Sequence, residues 1–188
     1  MEALKKETYY TYADYADWEL KEGERFELID GIPYAMSAPS PRHQEISMAL
    51  SRLLSGFLLG RKCRVFAAPF DVRLNGRGDF DDTVVQPDLL VICDKSKIDE
   101  KGCNGAPDIV IEIMSPSSKK LDLLIKYRKY QNAGVREYWI VDIELNIVEV
   151  YLFENNRREI MKYCEDDIIR SSVLDGFEVN VRDVFGEE

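Results

Sequence analysis

Gln86-Pro87-Asp88-Leu89-Leu90-Val91-Ile92 and Asp108-Ile109-Val110-Ile111-Glu112-Ile113 are the two stretches that decide how this chain is read. Each is a short, almost continuously apolar run, as expected of a central strand covered on both faces. Each also carries a carboxylate: Asp88 at the entrance of the first, Glu112 inside the second, twenty-four residues on. A carboxylate in such surroundings is destabilising unless something cationic collects it. Asp122 and Lys126 follow, four apart on an expected helix. Three carboxylates and a lysine at strand ends and on one helix face point to a divalent metal as the collector.

Working outward, Thr11 opens a helix expected over Tyr12 to Leu20, with Asp14 completing a Thr-x-x-Asp start and Gly23 ending it. Arg25 to Ile29 alternates polar and apolar, Asp30-Gly31 turns the chain, and Ile32 to Met36 returns as the second arm of a hairpin. Ser40-Pro41 caps a long helix whose apolar stripe is Ile46, Leu50, Leu53, Leu54, Phe57 and Leu58, stopped by Gly60. Val65 to Ala68 and Asp71 to Leu74 read as strands, and the acidic trio Asp79, Asp81 and Asp82 lies in the loop after them. Asp94 to Ala106 is polar and reads as a surface loop. Ser117 or Ser118 can cap a helix running to about Ala133 and ended by Gly134, before a buried-type strand at Tyr138 to Val141. Ile147 to Phe153 and Arg158 to Cys164 form a hairpin about Glu154-Asn155-Asn156, and the tail continues with Ile168-Ile169, Ser172 to Leu174 and Phe177 to Val181. The fold class is α/β (α+β-like): a mixed central β-sheet flanked by helices, with an N-terminal helix-hairpin and C-terminal β-hairpins.

Residues 1–188 suit one domain, and a hydrophobic fraction of 45% suffices for a sizeable core. No apolar run reaches the roughly 18 residues of a membrane span, and Met1 to Glu7 has no signal-peptide core. A cytoplasmic protein without membrane contact is expected. Cys63, Cys93, Cys103 and Cys164 form no CxxC pair, so neither a zinc site nor a disulfide framework is suggested and reduced thiols are expected. The net charge of −10 opposes a nucleic-acid partner. Ser115 to Arg136, however, holds six cations against Asp122 alone, net +5, leaving −15 for the remainder.

Hydrolysing a phosphodiester needs an activated water and charge neutralisation on the phosphate, which Mg²⁺ supplies. That ion asks for one or two carboxylates and keeps waters. Asp88 and Glu112 can supply them, a backbone carbonyl near Ile113 a third ligand, Lys126 a positive charge near the scissile phosphate, and Glu27 a further acid. Blander readings stand beside each role. Asp88 can sit in a turn; Asp122 and Lys126 can be an ordinary helical ion pair contributing about 0.2–0.5 kcal/mol. His43, near a helix start, reads as a surface or capping residue, and Glu27 as an exposed face residue.

Several blocks, in order, resemble one family: Phe26-Glu27-Leu28-Ile29-Asp30-Gly31, Pro41-x-His43, Gln86-Pro87-Asp88-Leu89, Ile111-Glu112-Ile113-Met114-Ser115-Pro116-Ser117, and Asp122-x-x-x-Lys126-x-x-x-Tyr130-x-x-x-Gly134-Val135-x-Glu137-Tyr138-Trp139-Ile140-Val141-Asp142. They are similar to the Uma-two family of restriction-endonuclease-like proteins, within the PD-(D/E)xK nuclease superfamily, from about Tyr9 to Val184. The resemblance implies a restriction-endonuclease-like fold, a Mg²⁺ (or Mn²⁺) dependent endonuclease acting on DNA, and a homodimer. It implies Asp88 and Glu112 as metal ligands. The superfamily's lysine normally stands two residues after the acid, where this chain has Met114; the matching lysine is Lys126 on the following helix. Glu27 matches an early acidic position, His43 a recurrent position, and Tyr130 a supporting one. Two other classes remain open: a nuclease-fold binding module without catalysis, and a metal-dependent hydrolase of a small phosphorylated molecule.

Overall fold

A computed structural model describes residues 8–114, 121–154 and 157–186; the side chains of residues 121–124, 154, 157 and 158 lie outside that description. In chain order the elements are α1 (Tyr12–Ala16), β1 (Phe26–Ile29), β2 (Ile32–Ala35), α2 (Pro41–Leu58), β3 (Arg64–Ala67), β4 (Val72–Arg73), β5 (Val84–Val85), β6 (Leu89–Ile92), β7 (Ile98–Asp99), β8 (Gly102–Asn104), β9 (Ile109–Met114), α3 (Leu121–Ala133), β10 (Glu137–Asp142), β11 (Ile147–Glu154), β12 (Arg157–Cys164), β13 (Ile168–Arg170), β14 (Glu178–Asn180) and α4 (Val181–Phe185).

The strands form two six-stranded mixed sheets and a two-stranded ribbon. The larger runs β12-β11-β10-β9-β6-β3, with β9 and β10 parallel at its centre and β6 antiparallel to β9. The smaller runs β2-β1-β5-β4-β8-β7. Alternation along β9 separates two cores. Ile109, Ile111 and Ile113 join Trp139, Val141 and the α2 stripe on one face. Val110 and Met114 join Tyr130, Tyr138 and Ile140 on the other, toward α3. Of the stripe that the helical spacing predicts, helix α2 buries Ile46, Leu50, Leu54 and Leu58, while Leu53 and Phe57 pack against the same core partly buried.

Some expectations change. Helix α1 stops at Ala16, because the chain turns at Asp17 to set the Trp18 ring against Tyr10, Tyr15 and Phe26. The supposed loop at 94–106 contains β7 and β8, the edge of the smaller sheet, with Cys103 buried and Arg73 paired to Asp99 at 2.5 Å. Strands of two or three residues are too short for alternation to show. At Gly102, with φ +117°, a Cβ would lie 2.2 Å from the Asp71 carbonyl oxygen, so the close approach of β4 and β8 requires glycine there. Cys63 and Cys93 are joined in a disulfide and are not reduced thiols. They are thirty residues apart in sequence, but the Arg64–Ile92 pairing of β3 and β6 places them directly opposite one another. The cap expected at Ser117 or Ser118 and the turn at Asn155-Asn156 lie outside the described residues.

Glu137, at the start of β10, is fully buried and holds the C-terminal segment. Its carboxylate accepts from Trp139 Nε1, from the Ser171 and Ser172 hydroxyls, and from the Ser172 and Val173 backbone N–H groups. Removing it leaves buried donors unmatched, each costing about 1–3 kcal/mol. Glu137→Ala is therefore expected to lower unfolding stability in urea by roughly 3 kcal/mol. Glu178→Ala, which breaks only an exposed pair with Arg170, should change it by less than about 1 kcal/mol.

Candidate active site

The register of β6 and β9 pairs Leu89 with Ile111. One step further along both strands sets Asp88 opposite Glu112, so the two acids that the sequence singles out are cross-strand neighbours. Asp88 is anchored through one oxygen: Oδ2 accepts from the Ile113 N–H at 2.8 Å and lies 3.1 Å from His43 Nε2. His43 stands in the first turn of α2, where Ser40 Oγ accepts from its backbone N–H at 3.2 Å. Its ring is largely buried against the site and is not a surface feature. Burial pulls the imidazole pKa down, but the hydrogen bond and charge of Asp88 outweigh it and the net shift is upward. The Ile113 backbone acts in the same direction, which sets it beside the imidazole.

Glu112 is 8% exposed, and Lys126 and Glu27 are 4% exposed each. Helix α3 covers this face of the larger sheet and presents Lys126 and Tyr130, one turn apart, to the same carboxylate oxygen. Lys126 Nζ is 3.2 Å and Tyr130 OH 2.7 Å from Glu112 Oε1. Lys126 also bonds Glu27, at 2.9 Å to Oε1 and 2.8 Å to Oε2, while the Gln86 N–H donates to Glu27 Oε1 at 2.8 Å. Burial raises the Glu112 pKa to about 7; Lys126 opposes the shift, and the Asp88 and Glu27 charges add to it. Burial, then the charges of Glu112 and Glu27, hold the Tyr130 hydroxyl well above its ordinary pKa, so it stays a donor.

Asp88, Glu112, Lys126, Glu27, His43, Tyr130 and the Ile113 backbone thus meet at the junction of both sheets, α2 and α3. Glu27 is buried, contrary to the exposed-face reading, because β1 turns it toward α3. The Asp122 side chain lies outside the described residues; the partners of Lys126 at hand are Glu27 and Glu112. Sequence reasoning missed Gln86 as a brace. Besides its backbone bond to Glu27, its side chain accepts from Arg25 and donates to Tyr15 and Asp71. The signal lay in β5, whose two residues escaped notice beside the Pro87-Asp88 dipeptide.

Among the described residues no donor is set on Asp88 Oδ1 or Glu112 Oε2, so each carboxylate keeps one oxygen free. Two hard oxygens on neighbouring strands suit Mg²⁺, which takes one or two carboxylates and retains water. Among those residues no three His, Cys, Asp or Glu side chains are grouped to hold a metal ion. A dedicated all-protein cage is therefore not what these side chains build.

Acids of both sheets thus meet one buried lysine at the junction of mixed sheets flanked by helices. The family model described as "Putative restriction endonuclease", Uma2, matches residues 12–182, and the chain belongs to that family. Two uncharacterized proteins of Synechocystis sp. strain PCC 6803 are similar to it. One, slr1290, is 29% identical over 144 residues, 76% of this chain and 73% of that protein. The other, sll1609, is 25% identical over 154 residues, 80% and 85% of the two chains. A crystal structure of a protein from Anabaena variabilis, described as a putative nuclease belonging to DUF820, superposes with a TM-score of 0.74 at 21% identity. It covers 93% of this chain and 97% of that one.

A raised carboxyl pKa fixes a sign for stability. The neutral Glu112 is favoured in the folded state, so its stabilising contribution is complete below about 4.5 and is lost as pH rises through about 7. With chelator present, urea unfolding of the wild type is expected to weaken between pH 5 and pH 8 relative to Glu112→Gln. Parallel pH profiles for the two proteins would refute the assignment.

Proposed function

We propose that this protein is a metal-dependent endonuclease that hydrolyses DNA phosphodiester bonds, with residues 1–188 acting as a single nuclease domain. Asp88 and Glu112, with the Ile113 carbonyl, hold the metal ion, Mg²⁺ or Mn²⁺, which supplies Lewis-acid activation of water and phosphate when bound. Lys126 supplies a fixed positive charge and donor at the edge of the acidic pair, and Glu27 holds that ammonium in place. One observation carries this reading: Lys126 reaches Glu112 at 3.2 Å from a different helix, although the strand itself carries Met114. Met114 and Glu112 share a face of β9, so a lysine delivered from α3 serves the face where a strand lysine would project.

Family membership supports nuclease chemistry over a purely binding role. The cleft of about 490 Å³ beside Gln86 is lined by Asp71, Asp99, Glu100 and Lys101 and includes neither Asp88 nor Glu112, so it offers no pocket for a small phosphorylated substrate at those acids. Lys126, Arg128 and Lys129 lie on α3, the helix that brings Lys126 to Glu112, and offset the acidic remainder where a phosphate backbone would approach. Two copies acting on opposite strands would cleave a duplex, and a two-fold dimer is the commonest arrangement for such a pair. The described residues hold no helix long and apolar enough to cross a membrane.

Cleavage of mixed single- and double-stranded DNA with Mg²⁺ or Mn²⁺ tests the proposal. Cutting by the wild type is expected to need the metal, and Asp88→Asn is expected to lower its rate by on the order of 10³-fold. Lys126→Met, checked by circular dichroism for a folded state, should lose a similar factor. A folded wild type that leaves DNA intact with either ion would refute the nuclease reading. Full activity in Lys126→Met would remove the lysine from the chemistry.

A further inference from the structure

The donors at the two acids are distributed unevenly. Both bonds to Asp88 fall on Oδ2, from the Ile113 N–H and His43 Nε2. Both bonds to Glu112 fall on Oε1, from Tyr130 and Lys126. Beside Asp88 the ring meets the Ile113 backbone, and among the described residues its Nδ1 is buried without a hydrogen-bond partner. A proton there would be an unsatisfied buried donor, so the neutral ring carries its proton on Nε2, facing Asp88. The backbone of His43 is fixed by the Ser40 cap, and Tyr130 is fully buried against Tyr138.

We propose that His43 and Tyr130 are positioning residues that each occupy one carboxylate oxygen, forcing Asp88 and Glu112 to bind a divalent ion through one oxygen apiece. This rests on the metal reading given above. An oxygen that already accepts two hydrogen bonds, as Asp88 Oδ2 and Glu112 Oε1 each do, has both lone pairs engaged and leaves its partner oxygen for the ion. Paired single oxygens with water suit the small octahedral Mg²⁺ and Mn²⁺, whereas Ca²⁺ takes bidentate carboxylates in a larger, flexible shell. His43 and Tyr130 therefore set ion selectivity as well as affinity, without touching the ion themselves.

The test uses the full chain without DNA: Mn²⁺ binding followed by electron paramagnetic resonance, then competition by Mg²⁺ and by Ca²⁺. Tyr130→Phe deletes only the hydroxyl and keeps the ring packing; His43→Ala deletes the other donor. Each is expected to weaken Mn²⁺ binding by about 10–100-fold, the usual effect of removing a group that orients a ligand. Each should also shift the Mg²⁺-to-Ca²⁺ preference toward Ca²⁺, which mere loosening of the fold would not do. His43→Gln, whose amide can donate from a similar position, should recover most of the affinity. Should His43→Ala fail to fold, Tyr130→Phe and His43→Gln decide the matter. Mn²⁺ affinity and ion preference within twofold of wild type in Tyr130→Phe and His43→Ala would overturn the positioning role while leaving the metal site intact. A wild type that binds no Mn²⁺ would overturn the metal reading and this inference with it.

Discussion

One ammonium shared by two buried carboxylates is the interaction on which the rest depends. Lys126 joins Glu27 of the smaller sheet to Glu112 of the larger one, so it couples the two sheets through α3. Desolvating each ion costs several kcal/mol, and one lysine cannot offset two carboxylates with Asp88 alongside. Burial first, and then the charges of Asp88 and Glu27, raise the pKa of Glu112 against the pull of Lys126. Apolar side chains of similar volume would serve stability as well or better. On the proposed reading, a dication completes the arrangement.

That imbalance also explains why so much of the site was legible. Glu112 stands among Val110, Ile111 and Ile113, where a solvent-facing glutamate has no place, and the structure buries it. The i,i+4 spacing of Lys126 and Tyr130 put both on one helical face, and both contact Glu112. The α2 stripe followed from helical spacing and the buried central strands from their continuous apolar runs; their parallel pairing was not readable in the sequence. Less legible were features made by pairing across long separations. Glu27 alternates with apolar residues and reads as exposed until β1 is placed over α3. Cys63 and Cys93 form no recognisable spacing, and only the β3–β6 register brings them together. His43 and Asp88 are forty-five residues apart, and nothing local to either announces the contact. Short strands such as β5, β7 and β8 carry too few residues for any period to register.

On the proposed reading, the fold keeps a charge in place while changing its source. A side chain at position 114 would share the Glu112 face of β9, and Met114 fills that volume with apolar packing. Helix α3 lies across the same face and delivers Lys126 instead. The likeness to the Anabaena variabilis structure, at 21% identity, concerns the fold alone. The Glu137 network is of a different kind: it closes the C-terminal segment against β10 and lies on neutral donors, with no cation and no free oxygen to offer.

The most direct test of the account is a crystal of the wild-type protein soaked in Mn²⁺ and measured for anomalous scattering. The account predicts a peak bound by one oxygen of Asp88 and one of Glu112, with His43 and Tyr130 still on the opposite oxygens. An ion chelated by both oxygens of either acid, or no peak between them in a well-ordered crystal, would contradict it.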